Sequence, residues 1–212
     1  MNTKEKILDE SLRLFSEKGF DAVSVREIAR CVGIKESSLY NHFTGKEDIF
    51  ESILSEYSER ENAFYSGMEL EGQFSVDQKT LDMYRNMPPE QFRQFALKIF
   101  DFYFTDELNV RMRRMLTMEQ YRSAGVRDMF REISFEAGLA YQASLFGAFM
   151  KAGLFKKADP DILALEFLSP VFLIFYKFDN DAEGLPRARE LFLRHIDHFN
   201  RTYTMGMEGE EK

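Results

Sequence analysis

Apolar residues recur at spacings of three and four along almost the whole chain, and this period restricts the fold more than any other feature. A chain so patterned buries its apolar stripes by packing helix on helix. Sustained apolar/polar alternation, the mark of a half-buried strand, is absent, and the Phe-rich runs are too long and too helically spaced for strands. The expected class is all-α. The 212 residues are 44% hydrophobic and 30% charged, with only 5 Pro and 12 Gly. That excludes disordered, collagen-like and Pro-rich linker proteins, and fits one large domain or a small domain joined to a bigger one. The single Cys31 forms no internal disulfide, and no Cys/His cluster has zinc-ligand spacing, so neither a metal nor a cofactor is expected. Charges are scattered among the apolar positions of residues 1–20, and no stretch approaches the roughly 18 uncharged apolar residues of a membrane span. A soluble, cytoplasmic protein without a membrane partner is expected.

Four short elements open the chain. Ile7, Leu8, Ser11, Leu12 and Phe15 share one face of a helix at about 3–18, which Gly19-Phe20 terminates. Ser24 followed by Glu27 reads as a capping box for a second helix with Val25, Ile28 and Ala29 inward. Gly33 breaks it, and a third helix at about 35–42 turns Leu39 and Phe43 inward. The fourth starts after Thr44-Gly45-Lys46, with Ile49, Phe50, Ile53, Leu54 and Tyr57 on one stripe. The pattern weakens beyond Tyr65, and residues 66–80 read as a loop or an irregular short helix, with a domain boundary near 58–75. Helices are then expected at about 89–105, 107–121, 126–152, 160–178 and 185–203. This divides the chain into 1–58 (motif 24–43), 59–205 and an acidic tail, 206–212.

Two helices of about two turns, joined by a tight turn at Gly33, form a helix-turn-helix with Ile28, Val32, Ile34 and Leu39 as its small core. The outward face of the second helix in such motifs enters the major groove, where polar side chains read base edges and flanking basic and hydroxyl groups hold phosphates. The net charge of −8 is unlike the basic footprint of a DNA binder, but the acid is unevenly placed: residues 1–50 carry 8 Lys/Arg against 9 Asp/Glu, and 24–46 carry 4 against 2. The polar, exposed candidates on the third helix are Lys35, Glu36, Ser37, Ser38 and Asn41. Lys46 stands just before a helix N-terminus, where the dipole already favours an anion.

The elements taken together, helix one ending at Gly19-Phe20, Ser24, Ile28-Ala29, Gly33-Ile34, Leu39-Tyr40, His42-Phe43 and Lys46-Glu47, resemble the DNA-binding domain of the TetR/AcrR family of bacterial transcription regulators. The resemblance covers Met1 to about Tyr57. Departures are Val32, where the family often has a small residue, and Lys35, where a Ser or Thr often caps the third helix. The resemblance implies a three-helix helix-turn-helix DNA-binding head and a larger helical ligand-binding and dimerisation domain. It assigns phosphate contacts to Ser24, Arg26, Tyr40, His42 and Lys46. It also implies a homodimer through helices 160–178 and 185–203, and a ligand-responsive repressor released from a palindromic double-stranded operator, with no enzymatic reaction. The alternative is a small-molecule-binding or enzymatic all-α protein whose N-terminal helices are only structural.

The region after residue 75 holds most of the 22 Phe. Its aromatic and Met excess suits an adaptable pocket for a small apolar effector, for which Phe100, Tyr103, Phe104, Met115, Met118, Tyr121, Tyr141, Phe172 and Tyr176 are candidates. Dense core and interface packing is the competing account of the same residues. Arg111, Arg113 and Arg114 read as a charged face or a seat for an acidic group. His195 and His198 read as surface histidines rather than metal ligands, and Cys31 as a small filler at a helix end.

Overall fold

The helical period is realised throughout the residues described by the computed structural model, which are 1–67, 76–121, 124–179 and 181–205. In chain order they form α1 (Thr3–Lys18), α2 (Val25–Val32), α3 (Glu36–Leu39), α4 (Lys46–Gly67), α5 (Gln78–Asn86), α6 (Pro89–Thr105), α7 (Glu107–Glu119) and α8 (Ala124–Arg131). A π-helical turn (Glu132–Glu136) leads into α9 (Ala137–Lys151), and α10 (Pro160–Lys177) and α11 (Leu185–Tyr203) follow. Among the described residues the only strand-like pairing is an isolated antiparallel bridge, Phe155 to Thr204. The acidic tail at 206–212 lies outside them, as does most of the segment expected as an irregular connection.

Two details differ from the sequence expectation. Helix α5 starts at the end of the segment read as a loop or an irregular short helix and continues over residues 81–86, to which no element was assigned. It is nucleated by Asp77, whose carboxylate accepts the backbone N–H of Thr80 at 2.8 Å and its hydroxyl at 2.9 Å, and it is anchored by Tyr84 against Phe149, ring centroids 5.1 Å apart. The helix expected at 126–152 is interrupted by the π turn, which holds Phe135 edge-on to Phe172 at 5.1 Å.

Contacts divide the chain into two compact units that do not follow its linear order: Met1–Gln73 with Asp106–Ser134, and Phe74–Thr105 with Phe135–Lys212. The first unit therefore contains α7 and α8 as well as the four N-terminal helices. Helix α1 packs against α2, α4 and α7. Being covered on several sides, it buries Leu14 in addition to Ile7, Ser11, Leu12 and Phe15, while Leu8 is only half-buried. Arg111 of α7 donates to Asp9 of α1 at 2.9 Å and also bonds Glu107, so its charge serves the packing of the unit rather than an acidic ligand. Arg113 and Arg114 are engaged as well.

The second unit has two aromatic cores. Around Phe100, which is 1% exposed, α6, α10 and α11 bring Phe104 (5.0 Å), Phe175 (5.6 Å) and Phe192 (4.6 Å) into ring contact. Around Phe146 of α9, Phe155 of the α9–α10 connection, Phe167 of α10 and Phe199 of α11 come together. The effector candidates are distributed between these cores, the other unit and the surface. Phe100 and Phe104 are core residues, and Met115 is fully buried in the other unit. Met118 (37% exposed), Tyr121 (87%) and Tyr176 (47%) face solvent. Tyr103, Tyr141 and Phe172 remain half-buried, and burial raises the Tyr141 phenol above its ordinary range. Ring surface was being spent on interlocking helices, a use that composition alone does not distinguish from a pocket wall.

Helix α10 continues through Pro170 to Lys177. It buries Leu163, Ala164, Val171, Ile174 and Phe175 on one side while leaving Ile162, Leu165, Leu173 and Tyr176 exposed. At 100° per residue those four fall within about 80° of one another, an apolar stripe interrupted by exposed Ser169. On α11, His195 shares its Nε2 with the Phe167 carbonyl at 2.8 Å, and burial lowers its pKa below the ordinary histidine value. His198 is exposed, and among the described residues no group of three His, Cys, Asp or Glu is arranged to hold a metal. No helix among the described residues is long and apolar enough to cross a membrane.

Candidate nucleic-acid interface

Local sequence determines how α2 and α3 meet. The Ser24 hydroxyl oxygen accepts the Glu27 N–H at 3.1 Å and starts α2. Only this arm of the expected capping box is present. The Glu27 carboxylate instead receives Lys18 Nζ at 2.6 Å, and that ammonium holds it below the usual carboxylate range. At the other end Gly33 takes φ +78°, ψ +30°, and Ile34 N–H returns to the Ala29 carbonyl at 3.0 Å. Nothing lies within 4 Å of where a Gly33 Cβ would be, so backbone conformation, not space, calls for glycine here. Buried Ile28, Ala29, Leu39 and Phe43 close the motif's small core, while Ile34 and Val32 are half-buried.

Helix α3 is shorter than expected. Lys35 stands at its N-cap without a side-chain hydrogen bond, as its replacement of a Ser or Thr implied. Beyond Leu39 the chain tightens: Asn41 N–H bonds the Ser38 carbonyl and His42 N–H the Leu39 carbonyl, both three residues back. Every polar candidate on this segment points outward. Lys35, Glu36, Ser37, Tyr40, Asn41 and His42 are exposed, and Ser38 is half-buried. Ser24 and Arg26 at the start of α2 are exposed too. Cys31 is also exposed, so it is not the helix-end filler that its type suggested.

Ser24, Tyr40, Gly45 and Lys46 line one shallow open hollow, with Asp21 and Glu47 also at its wall. Three phosphate candidates separated by up to 22 positions in sequence thus converge beside the N-terminus of α4. None of the nine effector candidates lines this hollow or the one on α11 that Arg194, His195 and Arg201 border.

Lys46 differs from a freely extended cation. Its ammonium donates to the Phe20 carbonyl at 2.7 Å and the Val23 carbonyl at 2.8 Å, and lies 4.3 Å from the centroid of the Phe20 ring. Three N–H donors on an ammonium leave one for another acceptor. The Phe20 ring itself is wedged against Phe15 (5.1 Å) and Phe50 (5.4 Å). Sequence reading assigned Phe20 only to the end of helix one, and its place beneath Lys46 had no local signal. Neither did the staple at the entry to α4, where Asp48 accepts both the backbone N–H (2.7 Å) and the hydroxyl (3.1 Å) of Thr44.

Comparison with known proteins falls on this segment. Residues 7–53 match the family model described as bacterial regulatory proteins, tetR family. The biofilm operon icaADBC HTH-type negative transcriptional regulator IcaR of Staphylococcus aureus is 50% identical over 48 residues, which make up 23% of this chain and 26% of that protein. The Staphylococcus epidermidis counterpart is 47% identical over 47 residues. The match thus spans about a quarter of those relatives' length. Solved structures extend the likeness in fold over nearly the whole chain. A TetR-family transcriptional regulator from Marinobacter aquaeolei superposes with a TM-score of 0.65 at 20% identity, over 97% of this chain and 92% of that one. SmeT, the repressor of the Stenotrophomonas maltophilia multidrug efflux pump SmeDEF, in complex with triclosan, does so with a TM-score of 0.66 at 21% identity, over 98% and 94%.

Proposed function

We propose, from the match of residues 7–53 to the tetR family of bacterial regulatory proteins, that the chain is a transcriptional repressor of that family whose α2–α3 motif reads a palindromic operator as a homodimer. The observation that carries this reading is the shared hollow of Ser24, Tyr40 and Lys46 beside an α3 whose polar residues all reach solvent or its edge. In this reading a backbone phosphate seats in the hollow. The Ser24 hydroxyl, whose oxygen already accepts Glu27 N–H, keeps its proton to donate. Tyr40 and the remaining Lys46 donor complete the contact, with Arg26 and His42 as flanking phosphate groups. Lys35, Glu36, Ser37, Ser38 and Asn41 then face base edges, and two heads sit one helical turn apart, about 34–36 Å.

Dimerisation is assigned to α10 and α11, the first of which carries the stripe Ile162, Leu165, Leu173 and Tyr176. Release is assigned to a small apolar molecule, supported by the fold shared with the SmeT–triclosan complex and by half-buried Tyr103, Tyr141 and Phe172. A gel shift against the DNA flanking the protein's own gene, repeated across salt concentrations, tests the core of the proposal. Saturable binding that steepens as salt falls supports it, and equal affinity for every duplex overturns the reading of an operator.

Contacts with phosphate and with bases separate experimentally. Tyr40→Phe and Lys46→Ala are expected to weaken all duplexes alike, with Lys46→Ala flattening the salt slope by about one unit. Unchanged affinity in both removes them from the interface. Asn41→Ala is expected to relax base preference at one operator position by about 1–3 kcal/mol, with a smaller effect for Ser38→Ala because that side chain is half-buried. Selection from a randomised operator library reads this, and identical consensus sequences would count against base readout.

A further inference from the structure

The Phe20 backbone is held from both sides. Its carbonyl accepts the Lys46 ammonium at 2.7 Å. Its N–H donates to Glu119 Oε1 at 2.8 Å, a bond that joins positions 99 apart in sequence. Glu119 is the last residue of α7 and is 3% exposed, a burial that carboxylates rarely reach without hydrogen-bond partners. Helix α7 in turn is fastened to α1 through Arg111 and Asp9. The residue whose carbonyl orients Lys46 is therefore pinned, through the peptide group before it, by a carboxylate at the C-terminal end of α7.

We propose that Glu119 is a positioning residue for DNA binding: by fixing the Phe20 N–H it holds the α1–α2 connection, and through the Phe20 and Val23 carbonyls it aims the free Lys46 donor at phosphate. This deepens the operator-binding reading and rests on it. The chemistry requires an acceptor of fixed reach at position 119. Gln retains a carbonyl oxygen at the same distance, Asp falls one methylene short, and Met fills similar volume with only a weak sulfur acceptor. The bond also ties the α7 C-terminus to the α1–α2 connection, so a shift of that end of α7 reaches Lys46 without passing through the recognition helix.

The test uses the full chain and the operator recovered by selection. In Glu119→Met, operator affinity is expected to fall about tenfold and the salt slope to become shallower by about one unit, as one phosphate contact is lost. Glu119→Gln is expected to stay within about threefold of the wild type, and Glu119→Asp to behave like Met. The double variant Glu119→Met/Lys46→Ala is expected to bind no more weakly than Lys46→Ala alone, because both remove the same contact. Amide exchange at Phe20 supplies a readout independent of DNA: protection is expected in the wild type and Gln variant, and its loss in Met and Asp. Additive losses in the double variant, wild-type affinity in Met, or a Gln variant as weak as Met each overturn the proposal. If Met fails to fold, Asp carries the same comparison. A wild-type protein that shows Phe20 protection but binds no duplex refutes the operator reading itself, and the positioning role falls with it.

Discussion

Replacing Leu173 with Glu is expected to leave a folded monomer and to lower operator affinity about 100-fold or more, since linking two heads gains 10²–10⁴ in avidity that a single head forfeits. Leu173, 66% exposed, is the most exposed of the four apolar residues Ile162, Leu165, Leu173 and Tyr176 on the α10 stripe. With about two thirds of its surface in solvent, it adds little to the core of its own protomer, so the substitution strikes association rather than folding. Against a second copy of the same stripe the charge would be buried without a partner, which is costly. Light scattering together with the gel shift checks both consequences. A wild-type protein that is already monomeric at micromolar concentration, or a Leu173→Glu dimer that binds operator normally, removes α10 from the interface.

The second large effect belongs to Phe100. At 1% exposure and in ring contact with Phe104, Phe175 and Phe192, its truncation to Ala is expected to cost roughly 3–5 kcal/mol. In a chain of this size that lowers the melting temperature by roughly 6–20 °C. The measurement also decides between the two uses of aromatic residues that composition left open. A ring lining a ligand cavity has solvent or void on one face, and its loss is cheap unless ligand is bound. A loss below about 3 °C would return Phe100 to the candidate effector site.

Local signals account for most of what sequence reading recovered. The Ser24 cap, the positive φ at Gly33 and the stripe Ile49, Phe50, Ile53 and Tyr57 each depend on residues within one or two turns of each other, and each is where its spacing placed it. The outward set on α3 follows from the same periodicity once Leu39 and Phe43 face inward. What escaped depends on partners far away in the chain. Helix α5 carries few apolar residues and is held by Tyr84 on Phe149. The inward turn of Lys46 depends on Phe20, and the Phe20 N–H in turn finds its partner in Glu119, 99 positions away. Arg111 could not be told from an exposed charge without knowing that α1 supplies Asp9. The aromatic excess was visible, but which rings interlock is decided by the meeting of α6, α10 and α11.

Cys31 offers an experimental handle. It is the only cysteine in the chain, and its thiol is exposed two residues before the Gly33 turn. A maleimide dye or nitroxide therefore attaches at one defined point on the helix-turn-helix of the native protein, with no engineered site and no second thiol to label. In the proposed dimer two such labels define a single distance. Pulsed electron resonance or energy transfer between them would follow the spacing of the heads directly as operator or a small molecule is added.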